Sequence, residues 1–156
     1  MITTTKTQIP KSIQVEHEAI HSLLIEATRA PGRVGVAAKA LAEVLHPHFV
    51  REEEIALPPL GLLADLAARK TLPENQVDEV LTMTDALRNE LPQMIEEHQR
   101  IRAAVDDLRQ AAKAEQATKY ENLADQLAVH AQNEEEVLYP AAILVGDLLR
   151  ATRKEK

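Results

Sequence analysis

Six residues share spacings that suit metal chemistry. His48-Phe-Val-Arg-Glu52 and His130-Ala-Gln-Asn-Glu134 each place a histidine four residues before a glutamate, and Glu16-His17 and Glu97-His98 add two further histidines. At about 100° per residue on a helix, residues four apart lie about 40° and one turn apart on one face. Such a His and Glu can reach one ion or a bridged pair. Imidazole with carboxylate suits iron, manganese or zinc. An ionised carboxylate alone in an apolar core is strongly disfavoured. If both glutamates face a core among four histidines they need a common partner, and a pair of divalent or trivalent cations is the economical one.

The chain repeats itself around these residues. Displaced by 82 positions, Leu41–Pro58 falls on Leu123–Pro140, with eight of 18 positions identical, His48 on His130 and the Glu52-Glu53-Glu54 triplet on Glu134-Glu135-Glu136. Displaced by 81, Glu16-His17-x-x-Ile20 falls on Glu97-His98-x-x-Ile101. Helical wheels give each of four elements one apolar stripe containing one histidine. The stripes are Ile13, His17, Ile20 and Leu24; Leu41, Val44, Leu45, His48, Glu52 and Ile55; Val80, Leu87, Leu91, Met94, His98, Ile101 and Val105; and Leu123, Leu127, His130, Glu134, Val137 and Leu138. Glu53 and Glu135 point about 140° from the histidines of their helices, which makes them surface groups or supports behind the ligands. His46 faces away and reads as a surface residue. His21, one turn after His17 on the inner flank, is a candidate additional ligand or support. A competing Glu-x-x-His arrangement, at Glu18–His21 and Glu43–His46, fails because Glu43 and His46 leave the core stripe and positions 99 and 102 are Gln99 and Arg102.

The elements that must position these side chains follow from composition and punctuation. With 156 residues, 45% hydrophobic and 28% charged, the chain suits one domain with a real core. Four glycines and 2% aromatic residues disfavour an all-β fold. The absence of cysteine excludes disulfides, cysteine zinc sites, iron–sulfur clusters and thiol catalysis. A net charge of −7 argues against nucleic acid as a partner, and no apolar run is long enough for a membrane. The start lacks the apolar stretch of a signal peptide, so a soluble cytoplasmic protein is expected. No P-loop or GxGxxG motif points to a nucleotide. The expected organisation is a flexible tail over 1–9, a bundle over 10–142, and a short C-terminal helix and tail over 143–156. Helices are expected over Pro10–Ala30, over Val34–Leu57 with a kink or displaced first turn at Pro47, from the capping box Thr71–Glu74 to Ala114 with a kink or break at Pro92, and from the capping box Thr118–Glu121 to Tyr139. Residues 60–72 read as a short helix or ordered loop, and Pro140 as a break. The fold class is all-α, an antiparallel up-down-up-down four-helix bundle with an internal two-fold repeat.

The pattern resembles the hemerythrin-like, or HHE cation-binding, family, whose motif H…HxxxE…H…HxxxE reads here as His17, His48–Glu52, His98 and His130–Glu134. Glu-His at both single-histidine sites and Leu-Pro or Tyr-Pro after each glutamate are similar too, over roughly residues 12–142. The resemblance implies a four-helix bundle holding two iron ions with an oxo or hydroxo bridge. Glu52 and Glu134 would bridge the ions, and His17, His48, His98 and His130 would be terminal ligands. Oxygen-carrying members use a further histidine where Met94 stands and an aspartate five residues after the last histidine, where Glu134 comes at four. Met94 reads as core filler rather than a strong ligand, so one iron is expected to keep an open position unless His21 fills it. The expected function is binding of, or reaction with, a small oxidant: oxygen, hydrogen peroxide or nitric oxide. Metal-ion binding, storage or sensing without turnover is the alternative. The inner walls, built from Leu, Val and Ile, are expected to offer a bound oxidant no hydrogen-bond donor.

Overall fold

The computed structural model describes residues 7–154. Its elements run α1 (Lys11–Thr28), α2 (Gly32–Ile55), a 3-10 turn (Pro58–Leu62), α3 (Leu63–Ala67), α4 (Glu74–Ala114), α5 (Thr118–Asn133), a π turn (Glu134–Leu138) and α6 (Tyr139–Lys154). No strand occurs among the described residues. Links of three residues join α1 to α2 and α4 to α5, and links that short reverse the chain and make each pair antiparallel. α1 packs on α2 and α5, and α4 packs on the same two, which closes an antiparallel four-helix ring. None of these helices is long and apolar enough to cross a membrane.

Three apolar clusters fill the molecule, and the first two sandwich the centre of the bundle. One joins Ile20, Leu24, Leu41, Leu45, Phe49, Ile101, Val105, Leu123 and Leu127. The next joins Ile55, Leu57, Leu60, Leu87, Met94 and Tyr139. The third lies outside the ring, where the first half of the 41-residue α4 meets α6 through Val77, Val80, Leu81, Val145 and Leu149. α6 is therefore a packed extension of α5, begins at Tyr139 and is 16 residues long. It approaches α4 closely at Gly146, where a Cβ would lie 2.1 Å from the Thr84 hydroxyl oxygen.

Several local expectations are corrected. α2 and α4 continue through Pro47 and Pro92, so neither proline displaces a first turn or breaks its helix. Both prolines are exposed, as are Glu43 and Arg88, whose carbonyls lose their helical partners and face water instead. Pro140 does not end the fourth helix either. A wide turn precedes it, with the Tyr139 N–H donating to the Glu134 carbonyl five residues back, and Pro140 falls in the first turn of α6, where a missing N–H is tolerated. Neither capping box forms: α4 starts after Pro73 and α5 after Ala117, with no side-chain cap at either. α2 takes its cap from a distant residue, the Arg33 N–H donating to Glu115 Oε1 at 2.5 Å. Of the tail, residues 1–6 lie outside the described residues, while residues 7–9 are packed. Thr7 is buried and donates to Glu79 Oε2 at 3.4 Å, and the Gln8 carbonyl sits over Gly61, where a Cβ would come within 2.0 Å of it.

The contact at Gly146 gives a test of the extension. Gly146→Leu should overpack the α4–α6 seam and lower the unfolding free energy by about 1–3 kcal/mol in chemical denaturation, while leaving the helical circular-dichroism signal in place.

Candidate metal centre

The structure brings the six expected residues into one buried cluster. His17 comes from α1, His48 and Glu52 from α2, His98 from α4, His130 from the last turn of α5 and Glu134 from the start of the π turn. All six are at most 4% exposed. They form two groups, His17–His130 and His48–His98, each completed by Glu52 and Glu134, with the ligand-type atoms of a group within 4.8 Å of one another.

The imidazoles are held by the outer carboxylates. The His98 Nδ1–H donates to Glu135 Oε1 at 2.8 Å, the His130 Nδ1–H to Glu16 Oε1 at 2.6 Å and the His48 Nδ1–H to Glu97 Oε2 at 3.4 Å. His17 Nδ1 faces Glu53 Oε1 at 3.6 Å, just outside hydrogen-bond range. An ionised carboxylate only accepts, so these contacts place the proton on Nδ1 and turn the Nε2 lone pair inward. The outcome is two pairs of facing Nε2 atoms, 3.1 Å apart for His17 and His130 and 2.9 Å for His48 and His98. Two lone pairs at that distance repel unless a proton or cation lies between them. Burial pushes the pKa of His17 and His98 down, which keeps them neutral and able to ligate at pH 7. Burial also acts on His48, but Glu52 and Glu97 outweigh it and hold its pKa above the usual value.

The two glutamates reach both groups. Glu52 Oε1 lies 2.5 Å from His48 Nε2 and Glu52 Oε2 lies 4.0 Å from His17 Nε2. Glu134 Oε1 lies 3.5 Å from both His98 Nε2 and His130 Nε2. Both Glu52 oxygens and Glu134 Oε2 are buried without a hydrogen-bond partner among the described residues. Burial raises both carboxyls. Glu52 is nevertheless drawn below the usual range by the Glu134 carboxyl, His48 and His17, whereas the charge on Glu52 adds to burial and drives Glu134 well above it. Left to itself the pair holds one proton. Unpartnered carboxylate oxygens facing bare imidazole nitrogens in a dry core are a donor set that fits a metal-binding site.

The remaining expectations divide. His46 is exposed, as expected, and Glu53 and Glu135 stand behind histidines. His21 is exposed and tilts toward His46, with ring centroids 6.1 Å apart, so it supports no ligand at this centre. Its wheel position explains this, since Ile13, Ile20 and Leu24 all lie on the other flank of His17. Met94 is buried in the apolar cluster with Leu57 and Leu87, as a core filler is. Val137 is 53% exposed rather than inward, because the π turn adds a residue and shifts the helical phase. The residue turned inward is Tyr139, fully buried, with its hydroxyl 3.2 Å from both His48 Nε2 and His98 Nε2. The inner wall thus carries a hydroxyl where only aliphatic groups were expected. The i+5 position after a glutamate, followed by proline, was a signal visible only if the wide turn had been anticipated.

A pocket of about 620 Å³ opens from solvent onto His17, between Thr7, Gln8, Glu53, Leu57 and Pro58. Another, of about 650 Å³, touches His48 beside Glu97 and Pro47. A groove of about 700 Å³ between α2 and α4, lined by Val36, Ala37, Ala40 and Ala104, includes none of the six residues.

Comparison with known proteins agrees with the geometry. The family model of the hemerythrin HHE cation-binding domain matches residues 8–142. No curated protein and no solved structure matches the chain. The match spans most of the chain and every residue of the buried His/Glu cluster, and the protein therefore belongs to the hemerythrin HHE cation-binding domain family.

Proposed function

We propose that this centre binds two iron ions, and that the loaded protein binds or reacts with a small oxidant: oxygen, hydrogen peroxide or nitric oxide. Glu52 and Glu134 bridge the ions, and His17, His48, His98 and His130 are terminal ligands, with an oxo or hydroxo group completing the bridge. The observation that carries the reading is that each glutamate faces both histidine pairs while three of the four carboxylate oxygens have no other partner. Zinc or manganese suits the same donors, so the metal must be measured. Bound iron supplies electron transfer to the oxidant. The protein supplies the rest: Glu97, Glu135 and Glu16 fix the tautomers of His48, His98 and His130 and raise their basicity, and the two apolar clusters exclude water and bulky substrates. Reaction with a diatomic molecule or peroxide fits a buried centre with a side pocket opening onto His17.

Metal analysis with an absorption spectrum tests the first part. Two irons per chain and near-ultraviolet bands of a bridged pair are expected, and one zinc or none overturns the reading. Glu52→Ala and Glu134→Ala should lose metal, whereas Glu53→Ala and His46→Ala should keep it. Equal metal content in all four would remove the ligand assignment. To separate reaction from storage, the reduced protein should be mixed with oxygen, peroxide or nitric oxide. Rapid oxidation without a long-lived oxygen adduct is expected, and an inert centre would favour storage or sensing.

Metal and proton compete for the same carboxylates, which fixes the sign of a pH effect. The pKa of Glu134 is raised, so its contribution to the stability of metal-free protein is complete below the unfolded value near 4.5 and is lost as pH rises through the folded value. The rise in Tm on adding metal should therefore be small at pH 5 and grow toward neutrality. At about a hundred times Kd the stabilisation should reach about 2.7 kcal/mol per site. Calorimetry across that range checks it, and a metal effect independent of pH would contradict the proton competition.

A further inference from the structure

The repeat that builds the centre is broken at one inward position. Displacement by 82 residues places Leu57 on Tyr139, and the two backbones match: the Leu57 N–H donates to the Glu52 carbonyl at 2.9 Å, as the Tyr139 N–H donates to that of Glu134. Both side chains are fully buried. One copy therefore presents a hydroxyl to the centre and the other presents methyl groups.

The hydroxyl is placed as a ligand atom would be. Tyr139 Oη, His48 Nε2 and His98 Nε2 form a triangle with sides of 3.2, 3.2 and 2.9 Å. Adjacent donors of an octahedral ion at about 2.1 Å stand about 3.0 Å apart. The three atoms thus have the spacing of one octahedral face. Around His17 and His130 the facing nitrogens are 3.1 Å apart, and the residue that repeats Tyr139 is Leu57, which has no donor atom. Pockets open to solvent at one histidine of each pair, at His17 beside Glu53 and at His48 beside Glu97; Leu57 lines the first, and Tyr139 lines neither.

The geometry points to two inequivalent metal positions: Tyr139 supplies a seventh protein ligand to the ion at His48 and His98, and an exogenous anion enters at the ion held by His17 and His130. This rests on the di-iron reading above and assigns the open coordination position to the half without Tyr139. On binding, the phenol O–H bond breaks, an oxygen–iron bond forms and the proton leaves to solvent; no electron is transferred.

The test uses the full chain reconstituted with ferric iron. The chain has two tyrosines, and the other, Tyr120, donates its hydroxyl to Glu26 on the surface. The wild type should show a visible phenolate-to-iron charge-transfer band, with resonance Raman ring modes that shift when tyrosine is ring-deuterated. The band should survive Tyr120→Phe and vanish in Tyr139→Phe at unchanged iron content. The labelled wild type decides the point even if Tyr139→Phe does not fold. Azide titration should give one bound anion per chain with the phenolate band intact, and two in Tyr139→Phe. Iron-loaded protein without a tyrosine-dependent band overturns this inference alone. Loss of the band on adding azide overturns the assignment of the anion to the other half. A chain that takes up no iron overturns this inference together with the di-iron reading.

Discussion

Two carboxylates sharing one dry space, Glu52 and Glu134, set the terms for everything around them. Both cannot be charged there without a counterion, and neither finds enough hydrogen-bond donors to settle alone. The imidazoles do not relieve the conflict, because outer carboxylates hold the protons of His48, His98 and His130 on Nδ1 and turn their lone pairs toward the same space. The arrangement is stable only when positive charge is present, whether one shared proton or metal. The apolar clusters on either side keep water from supplying the missing bonds.

The outer carboxylates obey the same internal symmetry as the inner ones. Glu16 and Glu97 precede their histidines and reach across to His130 and His48, while Glu53 and Glu135 follow the inner glutamates and face His17 and His98. Each helix thus orients a histidine that belongs to another helix. Arg102, 3.0 Å from Glu135, helps keep that carboxylate charged against the cost of burial. The bundle and the centre are therefore one cooperative unit: separating any helix leaves an imidazole untethered on its neighbour.

The sequence made the main frame legible because its signals were local and repeated. The His-x-x-x-Glu spacing, the Glu-His pairs and four apolar stripes were enough to name six residues that the fold brings together. What stayed illegible depended on partners far along the chain. Thr71 and Thr118 read as caps, yet Pro73 and Ala117 open those helices, and the cap on α2 arrives from Glu115. Pro140 read as a break, yet a wide turn absorbs it, and the helices around Pro47 and Pro92 stay continuous. A wheel of constant pitch kept Val137 inside and left Tyr139 unplaced, because one π turn breaks the period. His21 lies on the flank of His17 away from Ile13, Ile20 and Leu24, and it is exposed beside His46.

That π turn also decides how the last third of the chain can change in evolution. Glu134 begins it, Tyr139 comes directly after it, and Gly146 meets Thr84 two turns further on. All three hang on one rotational phase. The extra residue is absorbed inside the turn, so deleting one there would restore a plain α-helix and leave α6 in phase. Deleting one between Tyr139 and Gly146 would instead rotate the rest of α6 by about 100° and break the α4–α6 seam. After Glu52 the same wide turn runs into a 3-10 turn and a loop, so length variation can be absorbed before α4 begins. In the second half of the repeat the wide turn is the place where a change of length costs the fold least.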